Sequence, residues 1–300
     1  MAERAPAGGA ADGPAVAVVG SANIDLIATV EAAPAAGETV LATGYAEEIG
    51  GKGLNQAVAA ASSVPTALVA AVGDDPEGER VRAHARARGV DVREVGGVSA
   101  RTGRALITLF DQDNVIVVAP LANAGLTAPA VDAALRRLRP AVVLTQFEIS
   151  EAAVRAAALW CRRSGARLLI NPSPVRRVAD EVLALADPLV VNLGEAAALA
   201  GVGPGEAAGA DPAALAGRLA PRVRSVVVTA GPGGAWVGDG GPARHLPVPE
   251  RVEVVDSSGA GDAFAGRLAA ALAVGDGLDA AVRSAVAAAT RLVATPRERR

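Results

Sequence analysis

The sequence has few of the residues that build aromatic cores, disulfides and metal sites. Only 2% of its 300 residues are aromatic while 51% are hydrophobic, so a large core must consist mainly of Ala, Val and Leu. The single cysteine, Cys161, excludes an internal disulfide, and the two histidines, His84 and His245, lack the spacing of metal ligands. We therefore expect a protein without a structural metal.

Strong charge and long apolar runs are also missing. The formal net charge of −3 argues against a nucleic-acid partner. No run approaches the roughly 18 apolar residues that a membrane span needs, and the N-terminus lacks the charged-then-apolar order of a secretory signal. These features predict a soluble, cytoplasmic protein that binds neither nucleic acid nor a membrane. Residues 1–14, rich in Ala, Gly and Pro, are expected to form a disordered tail.

Lysine occurs once among 29 lysine and arginine residues. It lies in a glycine-rich segment, Gly50-Gly51-Lys52-Gly53-Leu54-Asn55-Gln56. A compact ammonium fits against a phosphate oxygen in a tight pocket where a planar guanidinium would not. The position of Lys52 therefore favours a ligand contact, with a chance surface lysine as the alternative.

Residues 256–266 are the most informative stretch of the chain. They follow a short apolar run over 252–255, which predicts a strand, and they open a long Ala/Leu-rich helix. The start of a helix presents unpaired N–H groups at the positive end of its dipole, which suits an anion. Asp262 would repel that anion, but it fits as a base that takes a proton from a hydroxyl attacking a phosphate. An N-capping Asp in an ordinary turn is the alternative.

The pattern of strands and helices predicts an α/β fold. From residue 127 onward helices alternate with continuous apolar strands, which is typical of a parallel sheet covered on both faces. Residues 26–48 and 101–119 instead predict short strands that form a small antiparallel sheet. Asn23 and Asp25 follow the first buried strand, 15–19, at the sheet edge where ligands bind, so Asp25 and Asp262 are expected to converge. Residues 15–300 are predicted to form a single domain.

Two common nucleotide-binding patterns are missing from the sequence. The lysine segment does not continue as G-x-x-x-x-G-K-[ST], and the glycines around residue 205 miss the G-x-G-x-x-G spacing. A nicotinamide-dependent dehydrogenase is therefore poorly supported.

Several segments, taken in order over residues 16–295, resemble the ribokinase family of carbohydrate and nucleoside kinases. They are Gly20-Ser21-Ala22-Asn23-Ile24-Asp25, Gly37-Glu38-Thr39, Gly50-Gly51-Lys52-Gly53, Thr145-Gln146-Phe147-Glu148, Asn192-Leu193-Gly194-Glu195, Thr229-Ala230-Gly231 and the stretch 256–266. The resemblance implies a three-layer α/β/α fold, with a mostly parallel central sheet and a small antiparallel β lid. It also implies ATP-dependent phosphorylation of the 5-hydroxyl of D-ribose.

The resemblance implies a role for each matching residue. The sugar would be bound by Asn23, Asp25, Gly51, Lys52, Gly53, Asn55, Glu148 and Asp262. ATP would be bound by Asn192, Glu195, Thr229, Gly231, Gly233, Gly234 and Gly261. Catalysis would use Asp262 as the base and Gly259, Ala260 and Gly261 as the anion hole. Glu195 would help to order Mg²⁺ indirectly.

Some implied features meet departures from the family pattern. Asp256 and Ser258 could supply half of a potassium site, but Arg297 stands where a glycine of the other half would fall. Val286 replaces an Asn or His that often approaches the adenine, and Leu121 replaces a usual glycine. A kinase for another sugar or nucleoside, and a non-catalytic sugar-binding relative, remain as alternatives. A homodimer is expected through the lid, because the small sheet has open edges.

Overall fold

Two β-sheets and the helices packed on the larger one position the predicted site residues. The computed structural model describes residues 13–110, 113–203 and 209–296. Its strands are β1 (Val16–Val19), β2 (Asn23–Thr29), β3 (Gly44–Gly50), β4 (Thr66–Gly73), β5 (Val90–Val98), β6 (Gly103–Phe110), β7 (Asp113–Ala119), β8 (Val142–Gln146), β9 (Arg167–Asn171), β10 (Leu189–Asn192), β11 (Val226–Thr229), β12 (Ala235–Gly238) and β13 (Arg244–Leu246). Its α-helices are α1 (Lys52–Ala61), α2 (Pro76–Ala87), α3 (Ala128–Leu138), α4 (Glu151–Ser164), α5 (Asp180–Leu183), α6 (Leu193–Leu199), α7 (Pro212–Leu219), α8 (Ala260–Ala273) and α9 (Leu278–Val293).

The larger sheet has the strand order β13-β12-β11-β10-β9-β8-β1-β4-β5. From β11 to β5 neighbouring strands run parallel, and β12 and β13 add an antiparallel edge. Parallel neighbours place their carboxyl ends along one edge of the sheet, which is where ligands bind in folds of this kind.

Strand β1 shows why the sheet is covered on both faces. Val16 and Val18 belong to one buried cluster and Ala17 and Val19 to the other, because successive side chains of a strand point to opposite faces. The first cluster includes residues of α1, α2, α8 and α9, and the second includes residues of α3 to α7. This arrangement confirms the predicted three-layer α/β/α fold.

The smaller sheet has the order β3-β2-β6-β7 and is the predicted lid. Its outer pairs, β2 with β3 and β6 with β7, are antiparallel, while the central pair of β2 and β6 is parallel. The lid was expected over 26–48 and 101–119, and its strands begin at Asn23 and Gly103. Asn23 and Asp25 therefore lie within a lid strand, and not in a loop after β1.

The strand expected at 252–255 is wrong. Residues 252–255 have no strand partner, and Val254 and Val255 are exposed. The backbone N–H groups of Val255 and Asp256 donate instead to the carbonyl of Val293 at the end of α9. Asp262 consequently follows an extended loop and a turn. Conversely, β5 was not anticipated, and it pairs in parallel with β4 at the sheet edge.

Some predictions lie outside the described residues. These are the tail over residues 1–12, Asp111 and Gln112 of the lid turn, residues 204–208 of a predicted loop, and the C-terminal residues 297–300. That residues 15–300 form one domain stays a prediction. Within the described ranges, no helix is both long enough and apolar enough to cross a bilayer.

Candidate active site

Two glycines at the start of α1 allow that helix to pack closely against the segment that joins β1 and β2. Gly51 has φ +95°, and a Cβ atom there would lie 2.8 Å from Ala22 Cα. A Cβ atom on Gly53 would lie 2.4 Å from the backbone nitrogen of Ser21. Both positions require glycine, the first by conformation and contact and the second by contact. The close approach brings the start of α1, and with it Lys52, next to β2.

Glu148 fixes this junction from the end of β8. Its Oε2 accepts a hydrogen bond from Ser21 Oγ at 2.6 Å and another from the backbone N–H of Lys52 at 3.2 Å. Ser21 Oγ in turn accepts from the N–H of Gly53 at 3.2 Å. A carboxylate at the start of a helix satisfies an orphan N–H group and is favoured by the helix dipole. Glu148 therefore holds the lysine segment in place.

The predicted sugar ligand Asn23 is oriented by a residue that the sequence did not reveal. Asn123 Nδ2 donates to Asn23 Oδ1 at 2.7 Å, and Asn123 Oδ1 accepts from the backbone N–H of Ala22 at 3.0 Å. Both asparagines are buried. Asp25 lies over Gly50, where a Cβ atom would meet its Oδ2 at 2.1 Å. The lid thus presents an amide and a carboxylate from one strand face.

Asp262 is buried near the start of α8, with 9% of its surface exposed. Gln56 Nε2 donates to its Oδ1 at 2.9 Å, and Asn55 Nδ2 donates to its Oδ2 at 3.3 Å. Burial raises the pKa of this carboxyl group, because a charge is poorly solvated there. The positive charge of Lys52 and the two amide hydrogen bonds act in the opposite direction and lower its pKa. The carboxylate is therefore neither salt-bridged at the surface nor a simple helix cap.

Gly259, the residue before α8, has φ +77° and no side chain to cap the helix. The backbone N–H groups of Gly261 and Asp262, in the first turn, have no carbonyl one turn earlier within the helix. That of Ala260 donates to the Ser257 carbonyl at 3.2 Å. The start of α8 therefore leaves N–H donors available where the sequence predicts an anion site, and binding of an anion there stays a prediction.

A cavity of about 240 Å³ gathers most of the predicted phosphate-side residues. Its lining includes Lys52, Asn171, Asn192, Glu195, Thr229, Gly259, Ala260, Gly261 and Asp262. The lining places one ammonium, one buried carboxylate and a helix N-terminus around the same space, which suits transfer of a phosphoryl group. Asn171, at the end of β9, was missed because an isolated Asn after a strand carries no distinctive pattern.

Asn192 and Glu195 form a reciprocal cap at the start of α6. Glu195 N–H donates to Asn192 Oδ1 at 2.8 Å, and Asn192 N–H donates to Glu195 Oε2 at 2.9 Å. Such a capping box satisfies two orphan donors of the helix. The pair therefore has a structural role, and it also lines the cavity.

A second cavity, of about 570 Å³, adjoins the first and has Thr229 and Gly261 in its lining as well. Gly231 and Gly234 also line it, and Val286 is part of its largely apolar wall. An apolar slot next to an anion-binding helix start suits a nucleotide base and its phosphates.

The turn over residues 231–234, which borders this slot, is held by a stacked pair of aromatic rings. His245 Nε2 lies 2.7 Å from the carbonyl oxygen of Gly233, and its ring stacks on Trp236 with centroids 4.1 Å apart. Gly233 thus supports the turn through its carbonyl group.

The predicted cation residues lie in the turn before α8, where Ser258 N–H donates to Asp256 Oδ1 at 2.8 Å. Arg297 lies outside the described residues. In the ranges that the structure does describe, no three His, Cys, Asp or Glu side chains come together to hold a metal ion.

Comparison with known proteins adds to this geometry. The profile of the pfkB family carbohydrate kinases matches residues 14–297. The ribokinase of Bacillus subtilis (strain 168) is 35% identical over 279 residues, covering 92% of this chain and 91% of the relative. The ribokinase of Lactococcus lactis is 32% identical, with coverages of 91% and 88%. The structure of Arabidopsis thaliana ribokinase complexed with ribose and ATP superposes with a TM-score of 0.81 at 26% identity, covering 94% and 93%.

Proposed function

The chain belongs to the pfkB family of carbohydrate kinases, and from that premise we propose that it transfers the terminal phosphoryl group of ATP to the 5-hydroxyl of D-ribose. Membership makes it a phosphotransferase that acts on a sugar. The observation that carries the finer proposal is the buried Asp262 carboxylate, which shares a cavity with Lys52 and the start of α8. The products would be ribose 5-phosphate and ADP.

The chemical step follows from the position of Asp262. Its carboxylate takes the proton of the 5-hydroxyl as that oxygen forms a bond to the γ-phosphorus and the bond to the β-phosphate oxygen breaks. The negative charge of the transferred group is met by the ammonium of Lys52 and by the N–H groups at the start of α8, with Gly259, Ala260 and Gly261 forming the turn. A raised proton affinity suits Asp262 to this exchange.

The sugar is held between the lid and α1. Asn23 and Asp25 read its secondary hydroxyls, since an ionised carboxylate accepts two adjacent O–H groups. Gly51 and Gly53 allow a close approach of the backbone that a residue with a side chain would block at either position. Asn55 and Glu148 complete the pocket. The Asn123–Asn23 hydrogen bond supports this proposal, because it sets the orientation of the amide.

ATP occupies the apolar slot with its phosphates toward Asp262. Thr229, Gly231, Gly233 and Gly234 wrap the nucleotide. Mg²⁺ fits a site where it is held mainly by phosphates and waters, because Glu195 and Asn192 line the phosphate-side cavity without a cluster of acids. Its charge would neutralise the phosphates, and Glu195 would orient its waters.

Four further features complete the proposal. Asp256 and Ser258 provide part of a site for K⁺ beside the anion-binding turn. Two copies pair through the lid to form a homodimer. The enzyme acts in the cytoplasm as a single domain spanning residues 15–300.

The test is release of ADP in the presence of MgATP and D-ribose, with and without K⁺, against 2-deoxyribose, fructose and adenosine. We expect turnover with ribose that increases with K⁺. Activity only on another acceptor would keep the kinase and replace the sugar. Binding of ribose with no turnover on any acceptor would favour a non-catalytic sugar-binding protein.

The same assay tests the base. Asp262→Asn should lower kcat by about 10²- to 10⁴-fold while ribose binding changes little. Asp276→Asn is the matched control, because Asp276 is exposed just beyond the opposite end of α8. Near-normal turnover by Asp262→Asn would contradict the assignment.

A further inference from the structure

A series of hydrogen-bonded side-chain amides connects the carboxyl ends of two central strands of the larger sheet to Asp262. Gln146 and Asn171 are the last residues of β8 and β9, and they face each other in the sheet register. Gln56, buried on α1, contacts both of them and also contacts Asp262. None of these three amides carries charge.

The donor and the acceptor of each hydrogen bond among these amides follow from the atoms that they face. Asn171 Nδ2 donates to the backbone carbonyl of Val190 at 3.1 Å, so its Oδ1 must face Gln56. Gln56 Nε2 donates to that oxygen at 3.1 Å and to Asp262 Oδ1 at 2.9 Å. A flipped Gln56 would turn its oxygen toward two acceptors. Both N–H groups of Gln56 are therefore committed.

The remaining atom of the Gln56 amide is also held. Gln146 Nε2 donates to Gln56 Oε1 at 2.6 Å. The other end of that amide, Gln146 Oε1, is buried and has no hydrogen-bond partner among the described residues. A buried acceptor left unpaired is costly. The orientation of the Gln146 amide that leaves its Oε1 unpaired is the one in which its Nε2 donates to Gln56, so that every polar atom of the Gln56 side chain has a partner.

We propose that Gln56 is a positioning residue that holds Oδ1 of Asp262 and leaves Oδ2 as the oxygen that takes the proton of the sugar hydroxyl. The contact to Oδ1 is short and anchored in the sheet through Gln146 and Asn171, whereas Oδ2 has the longer contact to Asn55. A carboxylate held by one oxygen keeps a single orientation of the other toward the acceptor hydroxyl. This inference rests on the proposed function for the identity of that hydroxyl.

The hydrogen bond from Gln56 also stabilises the charged form of Asp262. Two other charged residues line the cavity that contains Asp262: Lys52 on α1, whose charge lowers the pKa of Asp262, and Glu195 on α6. The facing residues of β9, β10 and β11 in the cavity lining, Asn171, Asn192 and Thr229, are uncharged. Loss of the Gln56 donor should therefore raise the proton affinity of Asp262.

The test compares Gln56→Met with the wild-type enzyme. We expect kcat to fall about 10- to 100-fold while KM for ribose changes less than about threefold, and the acidic limb of the kcat–pH profile to move to higher pH. Thr66→Val is the control, because it too removes a buried side-chain hydrogen bond, from the Thr66 hydroxyl to the carbonyl of Val64, but lies at the opposite, amino end of β4. It should keep the wild-type profile.

The proton affinity of Asp262 can be read without any sugar. Infrared difference titration of the protonated carboxyl band, with Asp262→Asn as the blank, should show that Asp262 binds its proton at higher pH in Gln56→Met. A folded Gln56→Met variant with the kcat, pH profile and infrared titration of the wild type would overturn the proposal. If wild-type turnover of ribose is itself missing, the proposed substrate fails and the infrared titration alone decides the role of Gln56.

A second variant covers the case in which Gln56→Met does not fold. Gln146→Met removes the donor to Gln56 Oε1 without touching Asp262. We expect a smaller, several-fold loss of kcat and a shift of the acidic limb in the same direction. In that case a wild-type profile for Gln146→Met would overturn the proposal.

Discussion

Asp262 meets two opposing demands. In the proposed mechanism it must accept a proton as a base, which burial favours by raising its pKa, and as a carboxylate it must be ionised before it can act. Lys52 and the amides of Asn55 and Gln56 favour the ionised form. The environment thus balances a desolvated charge against one cation and two hydrogen bonds, so the site should cost the fold some stability when ionised.

This balance predicts how Asp262→Asn changes stability with pH. The folded-state pKa of Asp262 lies above its unfolded value, so its contribution to stability is complete below the unfolded pKa of about 3.9 and is lost as pH rises through the folded pKa. Asn does not titrate. Calorimetry should therefore show little difference in Tm near pH 4 and a higher Tm for the variant near about pH 8. A difference that is the same at both pH values would contradict the shift.

The residue types of the site were more predictable than their supports. Asp262 and Lys52 stood out because an acid is unexpected in a turn predicted to bind an anion, and because Lys52 is the sole lysine and lies in a glycine-rich segment. Asn123, Gln56 and Asn171 did not, because each acts on a residue 100 or more positions away: 100 for Asn123 with Asn23, 206 for Gln56 with Asp262 and 115 for Asn171 with Gln56. Such pairings depend on tertiary packing, which local patterns do not contain.

At the scale of elements, the contact between α1 and α8 carries the site. A Cβ atom on Gly266 would lie 2.4 Å from the backbone oxygen of Gln56 and 2.6 Å from Ala59 Cβ. Gly266→Ala should therefore force the helices apart, destabilise the fold by about 1–3 kcal/mol and lower kcat by displacing Asn55 and Gln56 from Asp262.

The matched control for this change is Gly217→Ala on α7. Gly217 is exposed, and a Cβ atom there meets nothing within 4 Å among the described atoms. Since Ala is a better helix former than Gly, the free energy of unfolding of this variant should rise by about 0.5–1 kcal/mol. Denaturant unfolding and kcat of both variants decide the matter, and a Gly266→Ala enzyme as stable and active as the wild type would refute close packing.

The start of α6 combines a structural and a proposed chemical role, which one substitution can separate. Glu195→Gln keeps the size of the side chain and an oxygen that can accept the hydrogen bond from the Asn192 N–H, so the capping box and the stability of the fold should be retained. The loss of charge should raise the Mg²⁺ concentration that half-saturates activity. Asn192→Ala instead removes the N-cap and should cost about 1 kcal/mol. An unchanged Mg²⁺ dependence in Glu195→Gln would exclude Glu195 from ordering the metal.

Periodicity predicted most elements and failed where neighbours decide. The strand expected at 252–255 has the apolar, β-branched composition of a strand, but the N–H groups of Val255 and Asp256 donate to the carbonyl of Val293 at the end of α9 and not to a neighbouring strand. Strand β5 was overlooked because Gly96 and Gly97 near its end look like a turn, yet it is completed by pairing with β4. Both outcomes depend on which element of the fold lies beside the segment, and not on the sequence of the segment itself.

For the whole molecule, the two sheets divide the work. The larger sheet brings the ends of β8 to β11 and the starts of α1 and α8 to one place, and the lid supplies Asn23 and Asp25 from β2. Because residues of a strand alternate between faces, Asn23 and Asp25 lie on one face of the lid, and Leu26 lies on the other. Leu106 and Val117, paired in register with each other, share the face of Leu26.

That second face predicts the assembly. Leu106, Val115 and Val117 are 50%, 54% and 57% exposed, which places an apolar band on the lid of a single copy. A band of this kind is best covered by a second copy of the chain, pairing through the same patch on both subunits. Light scattering should give a dimer for the wild type and a monomer for Leu106→Glu with Val117→Glu, because two buried charges would oppose contact. Val274→Glu, at a valine 65% exposed just after α8, should stay dimeric. A wild-type monomer at micromolar concentration, or a dimer that survives the double change, would exclude the lid as the interface.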